Sequence, residues 1–219
     1  MEFYDLVNFS TYLSPVFLVL GVGIGIYFFK SIDIFHKILV VYLASMLSID
    51  MLARVFGEVY GNNLIFIPIL GFTELLLFSV FYYFSGLHEN SAIKFFLFGI
   101  TAISFLFSAW EIYKVYDIPI EEFESYSKAI STFVVVLLSI GYFIENIRKR
   151  KNISAGEFLL NSGILMYFSL ELILFLPIDF LINDDSGLKY YFWFANLIFT
   201  LVFYNFLIIS VWKNGRIQE

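Results

Sequence analysis

Seven long apolar runs, separated by short polar stretches, make up nearly all of this chain. They fall at Thr11–Phe29, Ile34–Phe56, Leu64–Phe84, Ala92–Tyr113, Tyr126–Ile147, Ala155–Phe180 and Lys189–Trp212. A hydrocarbon core about 30 Å thick needs roughly 20 mostly apolar helical residues to cross it. Every run is long enough. Spanning β-strands would be about half as long and would alternate in polarity. The pattern therefore predicts an all-α polytopic membrane protein, with residues 1–219 forming a single seven-helix transmembrane domain. The connections are short, so neighbouring helices should run antiparallel. Pro15, Pro68 and Pro177 fall near span ends on one side, where proline starts or kinks a helix without breaking its middle.

Composition agrees with the pattern. Hydrophobic residues make up 60% and charged residues 15%, against about a quarter charged in soluble domains. Too little chain remains between the runs for a separate soluble catalytic domain. The absence of cysteine removes disulfides, thiol nucleophiles and thiolate metal sites. The first run is preceded by Glu2 and Asp5 rather than by basic residues, so it reads as a span and not as a cleaved signal. Trp110, Trp193 and Trp212, with many tyrosines, lie at span ends and read as an interfacial belt.

The charges set an orientation. Lys30, Lys37, Lys94, Arg148, Lys149, Arg150, Lys151, Lys213 and Arg216 fall on one side; Arg54, Lys114, Lys128 and Lys189 fall on the other. That second side is also acidic, carrying Asp117, Glu121, Glu122, Glu124, Asp184 and Asp185. The positive-inside rule places the N-terminus outside and the C-terminus in the cytoplasm. The expected location is a bacterial inner (plasma) membrane. Arg148–Lys151 is a topology anchor by this reading, and the sharper alternative is contact with anionic lipid or a cytoplasmic partner. The net charge of −6 gives no reason to expect nucleic acid. The longest connection, Lys114–Ser125, reads as a solvated acidic turn.

A repeat is also suggested. Phe72–Phe84 aligns with Phe194–Phe206, placing Glu74 opposite Asn196, and a nearby register sets Ser48-Ile49-Asp50 over Ser169-Leu170-Glu171. Helices two and three would then match six and seven. That is a 3+1+3 parallel build, as in transporters of the SWEET and PQ-loop kind. No Pro-Gln pair occurs.

Any chemistry must come from polar groups within the spans, where a charge costs roughly 3 kcal/mol on insertion scales. Three carboxylates qualify: Asp50, Glu74 and Glu171. With Asn196 they are expected to line one outward-facing pocket that binds a small ligand or a proton. The bland readings differ by residue. Asp50 can simply neutralise Arg54 one turn away, and Glu74 can be a protonated hydrogen-bond donor between helices. Asn161 and Asn205 read as interhelical hydrogen-bonding residues. Gly21, Gly23 and Gly25 form small-x-small steps that would let a neighbouring helix approach closely.

Several chemistries lose support. Helix seven has no interior lysine for a retinal Schiff base. His36 and His88 have no metal-ligand spacing and read as interfacial. No metal site or cofactor is expected. No His-Glu-x-x-His or Gly-x-Ser-x-Gly occurs. An intramembrane carboxylate hydrolase of the lysoplasmalogenase kind would use Asp50 and Glu74 as its acid/base pair. That family's pattern is absent here, and the chain is not expected to be an enzyme.

Three stretches carry a resemblance. They are Asn63-Leu64-Ile65 with Phe72-Thr73-Glu74, Asn161-Ser162-Gly163-Ile164 with Tyr167-Phe168-Ser169, and Phe192-Trp193-Phe194-Ala195-Asn196 with Tyr204-Asn205-Phe206 and Trp212-Lys213. Together they resemble uncharacterised bacterial seven-helix integral membrane proteins often met near sensor histidine kinases. The resemblance marks Glu74, Asn161 and Asn205 as positions to test and assigns them no role. The functional expectation is a receptor-like or signalling-complex protein that couples a small ligand or proton to a membrane or cytoplasmic partner. The alternatives are a small-solute or proton-coupled transporter of 3+1+3 build, and a structural subunit of a larger membrane complex.

Overall fold

A computed structural model describes residues 7, 9–84, 92–115, 126–148, 154–177 and 187–217. Seven helices account for nearly all of them: α1 (Leu13–Tyr27), α2 (Ile34–Tyr60), α3 (Phe66–Phe84), α4 (Ala92–Val115), α5 (Ser127–Arg148), α6 (Ala155–Phe175) and α7 (Leu188–Ile217). Seven candidate spans are long and apolar enough to cross a membrane. The chain is an all-helical, multi-pass membrane protein.

Helix ends depart from the apolar runs where local chemistry overrides hydropathy. Asp33 caps α2 by accepting the His36 backbone N–H at 2.9 Å. The helix continues through Gly57 and Glu58 and stops at Gly61, whose φ of 69° supplies a left-handed C-cap. A capping box starts α6: the Glu157 N–H donates to Ser154 Oγ at 3.2 Å, and the Ser154 N–H donates to Glu157 Oε2 at 3.1 Å. That helix ends at Phe175, short of the expected Phe180, because Pro177 lacks an N–H and disfavours helix in the residue before it.

The chain divides into two compact units: residues 1–63 with 173–219, and residues 64–172. The first contains α1, α2 and α7. Its helices meet through glycine. A Cβ on Gly21 would lie 2.9 Å from both Ile208 Cγ1 and Leu43 Cδ1, and one on Gly25 would lie 2.5 Å from Val40 Cγ2. The close-approach motif is therefore Gly21-x-x-x-Gly25, one face of a helix. Gly23, expected to share in it, points into open space, because two residues turn a helix by about 200°.

The second unit contains α3, α4, α5 and most of α6. Here α5 is central, packing against both α3 and α4. Helix α6 joins through long side chains: Phe168 meets Phe78 edge-on at 4.8 Å, and Asn161 and Glu171 reach the other helices by polar contacts.

Gly25→Val should destabilise the first unit by about 1–3 kcal/mol through overpacking, while Gly23→Val should leave thermal unfolding in detergent unchanged. Equal losses from both would show that glycine packing does not hold α1 in place.

Candidate functional site

The site is built from the start of α5. Glu111, buried on α4, accepts the backbone N–H groups of Tyr126 and Ser127, each at 2.8 Å. A carboxylate from a neighbouring helix thus satisfies donors that a helix N-terminus leaves unpaired. This anchors the first turn of α5 and so fixes Lys128.

Lys128 is where structure and sequence part. Its place near the end of an apolar run put it among loop charges. Instead it is 1% exposed, between Glu74 at 2% and Glu171 at 3%. Its ammonium bonds Glu74 Oε2 and lies 2.8 Å from Glu171 Oε1. Gly71 makes this possible: a Cβ there would sit 2.9 Å from the Lys128 Cα, a backbone atom that cannot swing away. Gly71 and Glu74 are three residues apart, so both face α5. Tyr167 donates to Glu171 Oε1 at 3.2 Å, and Thr132 donates to Glu171 Oε2 at 3.5 Å.

A second polar layer lies farther along the same helices. The Tyr82 hydroxyl donates to Asn161 Oδ1 at 2.6 Å, Ser139 Oγ donates to the same atom at 2.9 Å, and Asn161 Nδ2 donates to the Ser139 carbonyl at 3.2 Å. All three residues are buried. Asn161 thus bonds α6 to both α3 and α5. Asn205, expected to do likewise, is exposed on α7. Tyr204, Leu207, Ile208 and Val211 hold the buried side of that helix, and one residue step turns Asn205 about 100° away from Tyr204.

The remaining candidates belong to the other unit. Asp50 Oδ2 accepts from Arg54 Nε at 2.9 Å, and Arg54 also donates to the Thr11 carbonyl at 2.8 Å and stacks on Tyr12. This pair ties the chain before α1 to α2. Asn196, on α7, has a buried Oδ1 without a hydrogen-bond partner among the described residues. Of the four residues expected around one pocket, Glu74 and Glu171 meet on Lys128, while Asp50 and Asn196 belong to the α1–α2–α7 unit. Arg148 is exposed at the end of α5; Lys149, Arg150, Lys151 and His88 lie outside the described residues. A cavity of about 300 Å³ opens on the opposite face of α3 from Glu74, lined by Leu76, Val80, Tyr83, Phe98, Thr101 and Phe105, and offers no charged group.

His36, read from sequence as interfacial, joins helices. Its Nδ1 is 2.8 Å from Asp33 Oδ1, and its Nε2 is 3.1 Å from Ser210 Oγ. Asn214 bonds both the backbone N–H and the carboxylate of Asp33. The order Asp33–His36–Ser210 imitates the hydrogen-bond chain of a serine hydrolase. Ser210 lies inside α7, however, where backbone N–H groups are held in the helix ladder and are not aimed at an oxyanion. The cluster is a clamp between the first turn of α2 and the last turns of α7.

No family model, curated protein or solved structure matches the chain.

Two tests follow. Lys128→Met alone should cost about 3–5 kcal/mol, because it strands two buried carboxylates. Adding Glu74→Gln and Glu171→Gln should recover most of that loss in thermal unfolding. A single variant as stable as the wild type would refute the ion-pair geometry. For the clamp, burial pushes the Asp33 carboxyl up, but the His36 and Asn214 hydrogen bonds outweigh it and hold it below the usual carboxylate value. That stabilisation is therefore complete above the usual value and is lost as pH falls through the lowered one. Asp33→Asn should flatten the acid limb of the unfolding midpoint against pH; an unchanged limb would count against the clamp.

Proposed function

We propose that this chain is a receptor-like membrane protein whose ligand is a proton, held at the Glu74–Lys128–Glu171 triad. One observation carries the reading: two buried carboxylates share one buried ammonium. With all three groups ionised the site carries −1, and one added proton makes it neutral. In a dry interior those two states differ far more in their interactions than they would at a surface.

The packing supplies a response. Helix α6 is held to α5 by Glu171 at one level and Asn161 at another. Protonating Glu171 removes its charge from Lys128 and leaves α6 tied mainly at the Asn161 layer. The helix would then pivot, displacing its Ser154 end next to the basic Arg148–Lys151 connection. With the basic side in the cytoplasm, that end presents the protonation state to a cytoplasmic or membrane partner.

The test is infrared spectroscopy of the full chain in lipid nanodiscs through a pH titration. A carboxylic-acid carbonyl band should appear and vanish with pH, and Glu171→Gln or Glu74→Gln should remove it. If no carboxyl band responds to pH, the triad is a static brace and the chain a structural subunit.

A further inference from the structure

The interior of the 64–172 unit is ordered by depth, and the triad is only its first level. On α5 the buried positions Lys128, Thr132, Val135, Ser139, Tyr142 and Asn146 recur at alternating steps of four and three, which keeps them on one stripe of the helix. On α3 the sequence of buried positions is Glu74, Phe78, Tyr82. On α6, Asn161, Ile164, Phe168 and Glu171 are buried at steps of three, four and three. All three helices therefore read polar, apolar, polar. The two polar layers stand about 12–16 Å apart by helix rise. Between them lie Phe78, Val135, Leu138, Ile164 and Phe168, each 1% exposed or less.

Beyond the second layer the stripe stays polar. The Tyr142 ring lies 6.1 Å from that of Tyr82, Asn146 is buried, and Glu145, one turn beyond Tyr142 and to the side of the stripe, is buried too. Beyond the first layer stands buried Glu111. A single buried Asn can set helix register, and Asn161 already bonds α6 to both α3 and α5. Two buried polar levels broken by an apolar layer, with buried Glu111 of α4 beyond one and buried Glu145 of α5 beyond the other, form an interrupted seam that exceeds that need.

We infer that this seam is a gated proton path. The Glu111 and triad half and the Tyr82–Asn161–Ser139 and Glu145 half are separated by an apolar layer that is the gate. The inference rests on the triad holding an exchangeable proton. When the apolar layer hydrates, the proton leaves a triad carboxyl for water. Water in the opened layer gives a proton to the Tyr82 oxygen, Tyr82 gives its own hydroxyl proton to water on the far side, and Glu145 takes one proton from that water and releases one at the far end. No bond other than O–H changes. Apolar constrictions close such paths by excluding water, so the described conformation is the shut one.

The test is proton flux into liposomes containing the full chain and an entrapped pH dye, with potassium and valinomycin balancing charge. Wild type should stay near the protein-free rate. Leu138→Ser, which makes the gate polar, should raise flux about tenfold, and Glu145→Gln or Glu171→Gln added to it should restore tightness. The near-isosteric Val135→Thr, which keeps the fold if Leu138→Ser does not, should raise flux about threefold. Folded gate variants that remain tight would overturn the path, as would a leak indifferent to both carboxylates. The two readings separate cleanly. A pH-responsive carboxyl band with tight gate variants removes the path alone. A silent band with a leak that needs only Glu145 removes the triad as a proton site and, with it, the path through the triad.

Discussion

The buried ammonium of Lys128 is the constraint around which the 64–172 unit is arranged. An unpaired charge at that depth is too costly to keep, so α3 and α6 must each bring a carboxylate to it. Bringing them fixes much else. Gly71 must be small so that α3 can approach the α5 backbone. Glu111 must hold the first turn of α5. The steps that carry Glu74 to Phe78 and Tyr82, and Glu171 to Phe168 and Asn161, then set the deeper layers. Removing the lysine would disturb the register of three helices, whereas changing a lipid-facing phenylalanine would disturb none.

The two units solve the same packing problem differently. Lipid tails are as apolar as leucine, so helices in a bilayer gain little by hiding apolar surface from them. The α1–α2–α7 unit meets this with close backbone approach at Gly21 and Gly25 and with polar clamps at its ends, Asp33–His36–Ser210 at one and Asp50–Arg54 at the other. The 64–172 unit instead places its polar groups in the interior. That contrast is why functional chemistry is assigned to the second unit. Its buried ion pairs and hydrogen bonds join α3, α5 and α6 at two levels, while those of the first unit tie α2 to the end of α7 and to the chain before α1.

The hidden carboxylates show how far a linear reading reaches. Glu74 and Glu171 stood out because each interrupts a long apolar run. Glu111, Lys128 and Glu145 did not, since each falls close to a span end, where an ionisable residue has water within reach and needs no explanation. One signal was available. The stripe Lys128, Thr132, Ser139, Asn146 sits at helical spacing and is too polar for a lipid-facing surface, so it must face protein. Nothing in the linear pattern says which helix answers it.

The sequence by itself determined the class, the number of helices and the presence of intramembrane carboxylates. These follow from hydropathy and length, which depend only on composition within a window of about 20 residues. It also determined the Asp50–Arg54 pair, because a four-residue step on a helix is local geometry. Only the tertiary structure decided that Lys128 lies inside, that it takes Glu74 and Glu171 as partners, and that Asn161 rather than Asn205 crosses between helices. Those outcomes depend on how each helix is rotated about its axis against its neighbours. A rotation of about 100° separates adjacent residues, and hydropathy averaged along a nearly uniform apolar span carries too little angular signal to choose between them.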